Sequence, residues 1–333
     1  MKNNKLLIIK LFGVILVAVM IIAIAQFYSN KKPVKTTGNS RPLATKKEAK
    51  KSRIASQNNS QNNNFKKAKS TSNFIKKNFD YGELNGLFKP EGKTKYQKYR
   101  HQLEIVKNLK TPLIMANIQG LHDYVYGGSN DRLGLHLKDE IFIKLESDRK
   151  ANKSHIDFLS QLSADKSVDG DLRGYAVQHL RSEYSKADAQ LRKQIQETLF
   201  DSLKDTQCDV SGTAILALSD LSKMYPKEID KERINTELVS LVEDESMHIP
   251  SRIAMVQSVG SMKNDSESVT NAIRDLAFND PGDMVLRLTA IATIGEIGTK
   301  DDIQGLENIL KNDHQLYKVA TQNAIQKLKN KQK

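Results

Sequence analysis

Residues 280–313, DPGDMVLRLTAIATIGEIGTKDDIQGLENILKND, carry the pattern that most constrains this chain: two short amphipathic helices joined by a tight turn, with imperfect copies upstream. Asp280 reads as the cap of a helix opening at Pro281, where a missing N–H costs nothing. Val285, Leu288, Ile291, Ile294 and Ile297 recur every three residues and give one apolar face. Ala290, Ala292 and Gly295 are small, which lets a neighbouring helix approach closely. Gly298 suits the left-handed position just past a helix end. Thr299 and Asp302 read as a capping pair for a second helix, with Ile303, Leu306, Ile309 and Leu310 inward. Helices this short are not stable alone in water, so each must be held by its neighbours.

The copies align on Arg287. Ala290 lies three residues past it, Thr293 six and Ile294 seven. Arg173 is followed at the same offsets by Ala176, His179 and Leu180, and Ser211 by Ala214, Ala217 and Leu218. Arg252 is followed by Met255, Ser258 and Val259, and Lys318 by Thr321, Ala324 and Ile325. By subtraction of their positions these anchors stand 38, 41, 35 and 31 residues apart. A period in that range with helix–turn–helix content predicts a helical solenoid.

On these residues the sequence resembles the HEAT-repeat family, in particular the short bacterial-type repeats also found in phycobilin lyases. Asp283, Leu286-Arg287, Ala290, Ile294-Gly295 and Leu310 with Asp313 resemble the family pattern, with imperfect spacing. The Ser211 copy lacks the basic residue and the Lys318 copy lacks a second helix. The resemblance covers roughly Asp169 to Lys329. It implies a right-handed α-solenoid of HEAT-like helix pairs, most often a protein-binding scaffold, and it transfers no catalytic residues.

Upstream of the repeats, Lys2, Lys5 and Lys10 precede the uncharged run Leu11 to Tyr28. Residues 1–29 read as a signal-anchor, at the short end of what spans a bilayer. Ala23-Ile24-Ala25 also fits cleavage after Ala25, which would make the protein secreted. Either reading places the bulk of the chain outside the cytoplasm. Residues 30–79 are rich in Lys, Asn, Ser and Gln and read as a disordered linker. This linker holds 14 Lys/Arg against Glu48 alone, and residues 1–29 add three more lysines. Of the chain's 52 bases and 39 acids, 35 and 38 therefore remain in residues 80–333. The basic balance belongs to the tail, and the rest is mildly acidic. A duplex-binding fold wants a basic face, so nucleic acid is not an expected partner.

Residues 80–168 are helical by pattern but less regular, and read as an N-terminal cap with degenerate repeats. Tyr96 to Leu109 forms one helix, Pro112 opens another, and Gly127-Gly128-Ser129-Asn130 breaks the pattern before helices at 135–147 and 153–162. Residues 169–333 hold the repeats proper, with pairs at 171–184 and 188–204, 209–224 and 232–242, 251–262 and 267–278. A last helix covers 316–329. The expectation is all-α, preceded by an N-terminal hydrophobic helix and the linker.

Reactive chemistry is not signalled. Cys208 is the one cysteine, and the seven histidines show no H-x-x-x-H or H-x-H spacing. His179 falls on the inner face of its helix and reads as a core or interface residue. No catalytic, cofactor or metal residue is assigned, and the singled-out positions are the repeat-structural set: Arg173, Ala176, Ala214, Arg252, Asp283, Arg287, Ala290, Ile294, Gly295 and Lys318. The expected function is a non-enzymatic protein-binding scaffold, exported, tethered to the membrane through residues 11–28, with its partner on the solenoid surface. The alternatives are a membrane- or wall-binding protein acting through the basic linker, and a lyase-type accessory factor.

Overall fold

A computed structural model describes residues 81–331, apart from 148–149, 265, 280–281 and 313–314. Chain contacts divide the molecule into units 1–67 and 68–333, and every described residue lies in the second. The expectations for the hydrophobic segment and the linker, and for Asp280, Pro281 and Asp313, fall outside the described residues.

The described residues are all-helical, with fourteen α-helices and no strand among them. In chain order these are α1 (Asn85–Phe88), α2 (Lys95–Asn108), α3 (Met115–Gly127), α4 (Arg132–Leu145), α5 (Lys153–Ala164), α6 (Gly170–Glu183) and α7 (Ala189–Ser202). They continue with α8 (Val210–Met224), α9 (Lys231–Glu243), α10 (Ile249–Met262), α11 (Glu267–Phe278), α12 (Met284–Ile297), α13 (Asp302–Asn312) and α14 (Gln315–Asn330). Among the described residues no helix is long and apolar enough to cross a membrane.

Local chemistry sets the helix starts. Thr94 and Gln97 form a capping box for α2. Asp131, Asn152, Asp169, Asp188, Asp230 and Asp283 each accept from first-turn N–H groups of the helix that follows. Among the starts that differ from the sequence reading, α4 opens at Arg132 rather than Leu135, because Asp131 caps it. Helix α12 opens at Met284 rather than Pro281, because the Asp283 carboxylate takes the N–H groups of Val285 at 2.8 Å and Leu286 at 2.9 Å. Helix α3 opens at Met115 rather than Pro112. A further correction concerns Gly298, whose φ of −67° and ψ of 175° are extended, not left-handed. Glycine is needed there for space: a β-carbon would meet Ile294 O and Asp302 Oδ2, each at 2.6 Å.

Packing follows an alternating order. Each even-numbered helix from α2 to α14 packs on the next even one, and among the odd helices α5 packs on α7, and α9 on α11 and then α13. Successive helices also touch, notably α5 with α6, α11 with α12 and α13 with α14. The buried core runs continuously through these contacts, from Leu84 to Leu328. Helices α2 and α4, upstream of the repeats read from sequence, belong to the same even-numbered series.

Candidate functional site

The anchors align in space as well as in sequence. Three residues past them, Ala176, Ala214, Met255, Ala290 and Thr321 are fully buried. Seven past them, Leu180, Leu218, Val259, Ile294 and Ile325 are buried too. Gly295 lies where α12 and α14 meet, and a β-carbon there would come within 2.8 Å of Ala324 Cα.

Three arginine anchors do one job. Arg173 Nε donates to Ser163 O at 2.9 Å, Arg252 Nε to Val242 O at 3.1 Å, and Arg287 Nε to Ala277 O at 3.0 Å. Each carbonyl lies ten residues upstream and belongs to the penultimate residue of the preceding helix. The last carbonyls of a helix have no intrahelical partner and sit at the negative end of its dipole, so a guanidinium satisfies both needs. At Ser211 the arginine is missing. The equivalent carbonyl, Asp201 O, instead accepts from Lys204 N–H at 3.2 Å, closing α7 by its own turn. The Ser211 hydroxyl is buried without a hydrogen-bond partner. Lys318 lies exposed on α14.

Arg173 carries a second load. Its guanidinium also pairs with the buried Asp205 carboxylate and approaches Cys208 Sγ at 3.8 Å. Burial works to raise the Asp205 carboxyl, but Arg173 and the Gln207 N–H outweigh it and hold it below the usual carboxylate range. Burial pushes the Cys208 thiol up, and the Asp205 charge adds to this, so the sulfur is kept protonated and poorly nucleophilic. Beside Arg173 a polar cleft of about 320 Å³ opens between α5 and α7, lined in part by Ser160, Thr198, Lys166 and Lys204. Thr198 donates to Ser160 Oγ across it at 3.1 Å.

A buried row of histidines was not legible in the sequence. His122 on α3 stacks on Phe158 of α5, with ring centroids 3.8 Å apart and planes within 1°. Its Nε2 lies 3.2 Å from His155 Nδ1, and His155 Nε2 has no partner. Burial pushes His122 down to about 3. Burial lowers His155 well below its ordinary value, and His122, His179 and Lys186 push the same way. His179 sits on α6 beyond Phe142, whose ring is 4.8 Å away. Burial alone would lower His179, but Glu146 at Nδ1 and Asp139 at Nε2 raise it. The row therefore joins two imidazoles whose burial favours the neutral form to a third whose charged form is favoured by two carboxylates. Histidines 33 and 24 residues apart come near one another only because side chains of α3 touch α5, and α5 packs on α6. Among the described residues no group of three or more His, Cys, Asp or Glu side chains is placed to hold a metal ion.

This arrangement fixes a pH dependence. Neutral His122 contributes stability above the unfolded value of 6.5, and that contribution is lost as pH falls toward about 3. Between pH 7 and pH 5, His122 alone should remove about 2 kcal/mol. His179 works in the opposite sense: its contribution is full below 6.5 and is lost as pH rises through its raised value. Urea unfolding at pH 5, 6.5 and 8 measures both limbs. His122→Phe should make the acid limb shallower by about that amount while leaving the share of His155, and an unchanged acid loss in the variant would assign the sensitivity to other groups.

No protein-family model matches this chain, and no curated protein matches it in sequence.

Proposed function

We propose that the chain is a non-enzymatic protein-binding scaffold: a right-handed α-solenoid of HEAT-like helix pairs, exported and held at the membrane by residues 11–28. The observation that carries this reading is the arginine contact repeated at the same offset on α6, α10 and α12. A device that ties the end of one helix pair to the start of the next is what a stacked array needs, since its stability is a sum of unit and nearest-neighbour terms. The even-to-even packing from α2 to α14 supports the same reading and extends it into the less regular N-terminal helices. Arrays of this kind offer a long surface for a partner.

Crosslinking and capture of the exported protein test the reading. A variant deleted for residues 30–79 is expected to keep its protein partner at low and high ionic strength. A peptide of residues 30–79 should bind only diffusely, and weaken with salt as its charges are screened beyond about 10 Å at 0.1 M. If that peptide alone recovers every partner, the helices are a spacer and the basic linker is the functional part. A mature amino terminus at Gln26 would replace the membrane tether by secretion.

A further inference from the structure

The even-numbered helices α6 to α14 share a feature beyond their arginine contacts. Five residues past the anchors stand Gln178, Leu216, Gln257, Ala292 and Asn323, all exposed and all uncharged. The residues one and two past each anchor are uncharged as well, from Gly174 and Tyr175 on α6 to Val319 and Ala320 on α14, and of these only Gly212 is buried. Three positions on each of five helices thus carry no charge, in a chain of which 27% is charged. The band passes from helix to helix. A β-carbon on Gly174 would lie 3.7 Å from Thr213 Oγ1 on α8, and one on Gly212 would lie 3.3 Å from Ala254 Cβ on α10. The large apolar side chains it exposes are Leu216, at 44%, and Val319, at 68%. Charge reappears at one edge, where Arg181 pairs with Asp220 at 2.9 Å and Lys327 pairs with Glu296 across neighbouring even helices.

A charge-depleted centre beside a polar rim is the anatomy of a protein interface. We propose that this band is a self-association surface, occupied by the same band of a second copy in a two-fold pairing. The inference rests on the scaffold reading and names a partner for it. A partner bearing charges at the centre would leave them buried and unpaired, at a cost of several kcal/mol. The band itself meets the requirement of being charge-free along its own length, and a two-fold axis sets identical patches against each other. Fifteen positions a side fall short of the roughly 20–30 residues of a stable interface. The pairing is therefore weak in solution, and holding copies on one surface raises its occupancy through effective concentration.

Sedimentation velocity on the full chain in nonionic detergent, over roughly 1 to 100 µM, spans the range suited to such an interface. The weight-average mass should climb toward a dimer with concentration. Leu216→Glu and Ala292→Glu, both at exposed sites that leave the fold intact by circular dichroism, should each weaken the pairing at least tenfold. Ser240→Glu, exposed on α9, should leave it unchanged. A monomer at every concentration, or equal weakening by Ser240→Glu, overturns the proposal. A monomer that still captures a different protein overturns self-pairing alone, whereas loss of all capture with the dimer intact overturns the wider scaffold reading alone.

Discussion

Ile294→Asp is expected to destabilise the helical array by about 4 kcal/mol or more, the range that follows from burying a charge without a partner. Ile294 is fully buried on α12, which packs between α10 and α14. A carboxylate there must either stay ionised in an apolar setting or take up a proton, and both routes cost free energy at neutral pH. With a shift of roughly 2–4 °C per kcal/mol for a region of this size, thermal unfolding should fall by about 10 °C. Glu296→Gln, two residues on, is the matched control. Glu296 is half exposed and pairs with Lys327, so its removal should cost no more than about 1 kcal/mol. Equal shifts for the two variants would show that the apolar face of α12 has been misplaced.

Arg173→Met should cost about 3–5 kcal/mol, since it strands Asp205 as a buried charge and frees the Ser163 carbonyl. Arg252→Met removes the same kind of carbonyl contact without stranding Asp205, and should cost about 1–2 kcal/mol. The double variant Arg173→Met/Asp205→Leu should recover part of the loss, because the stranded charge goes with its partner. Denaturant unfolding of these variants and the parent, with Asp205→Leu alone added to close the Arg173–Asp205 cycle, measures each loss. Losses of equal size at Arg173 and Arg252 would mean that Asp205 carries little of the difference.

Much of the helical layout was legible because the apolar spacing is regular. Residues 267–278 were bounded from sequence at the same ends the structure gives α11, and most other ends agree within three residues. The start of α12 went astray because the chain offers two capping residues close together there. In Asp280-Pro281-Gly282-Asp283 a proline favours the first aspartate, yet the second makes the hydrogen bonds. Gly298 was read as a conformational necessity when the constraint is steric. The offset of ten between each arginine and its carbonyl was present in the sequence, but it becomes meaningful only once the preceding helix is known to end there. The histidine row was illegible for a related reason: His122, His155 and His179 belong to three different helices, and their meeting is set by helix packing that one-dimensional spacing does not encode.

The missing arginine at Ser211 has a mechanical consequence. Parting α5 from α6, α9 from α10, or α11 from α12 exposes a helix-end carbonyl that has just lost its guanidinium. Parting α7 from α8 exposes none, because the Asp201 carbonyl is already closed by Lys204. Of these four helix junctions, the one between α7 and α8 can therefore part without stripping a guanidinium from a helix end, so separation there carries no such electrostatic cost.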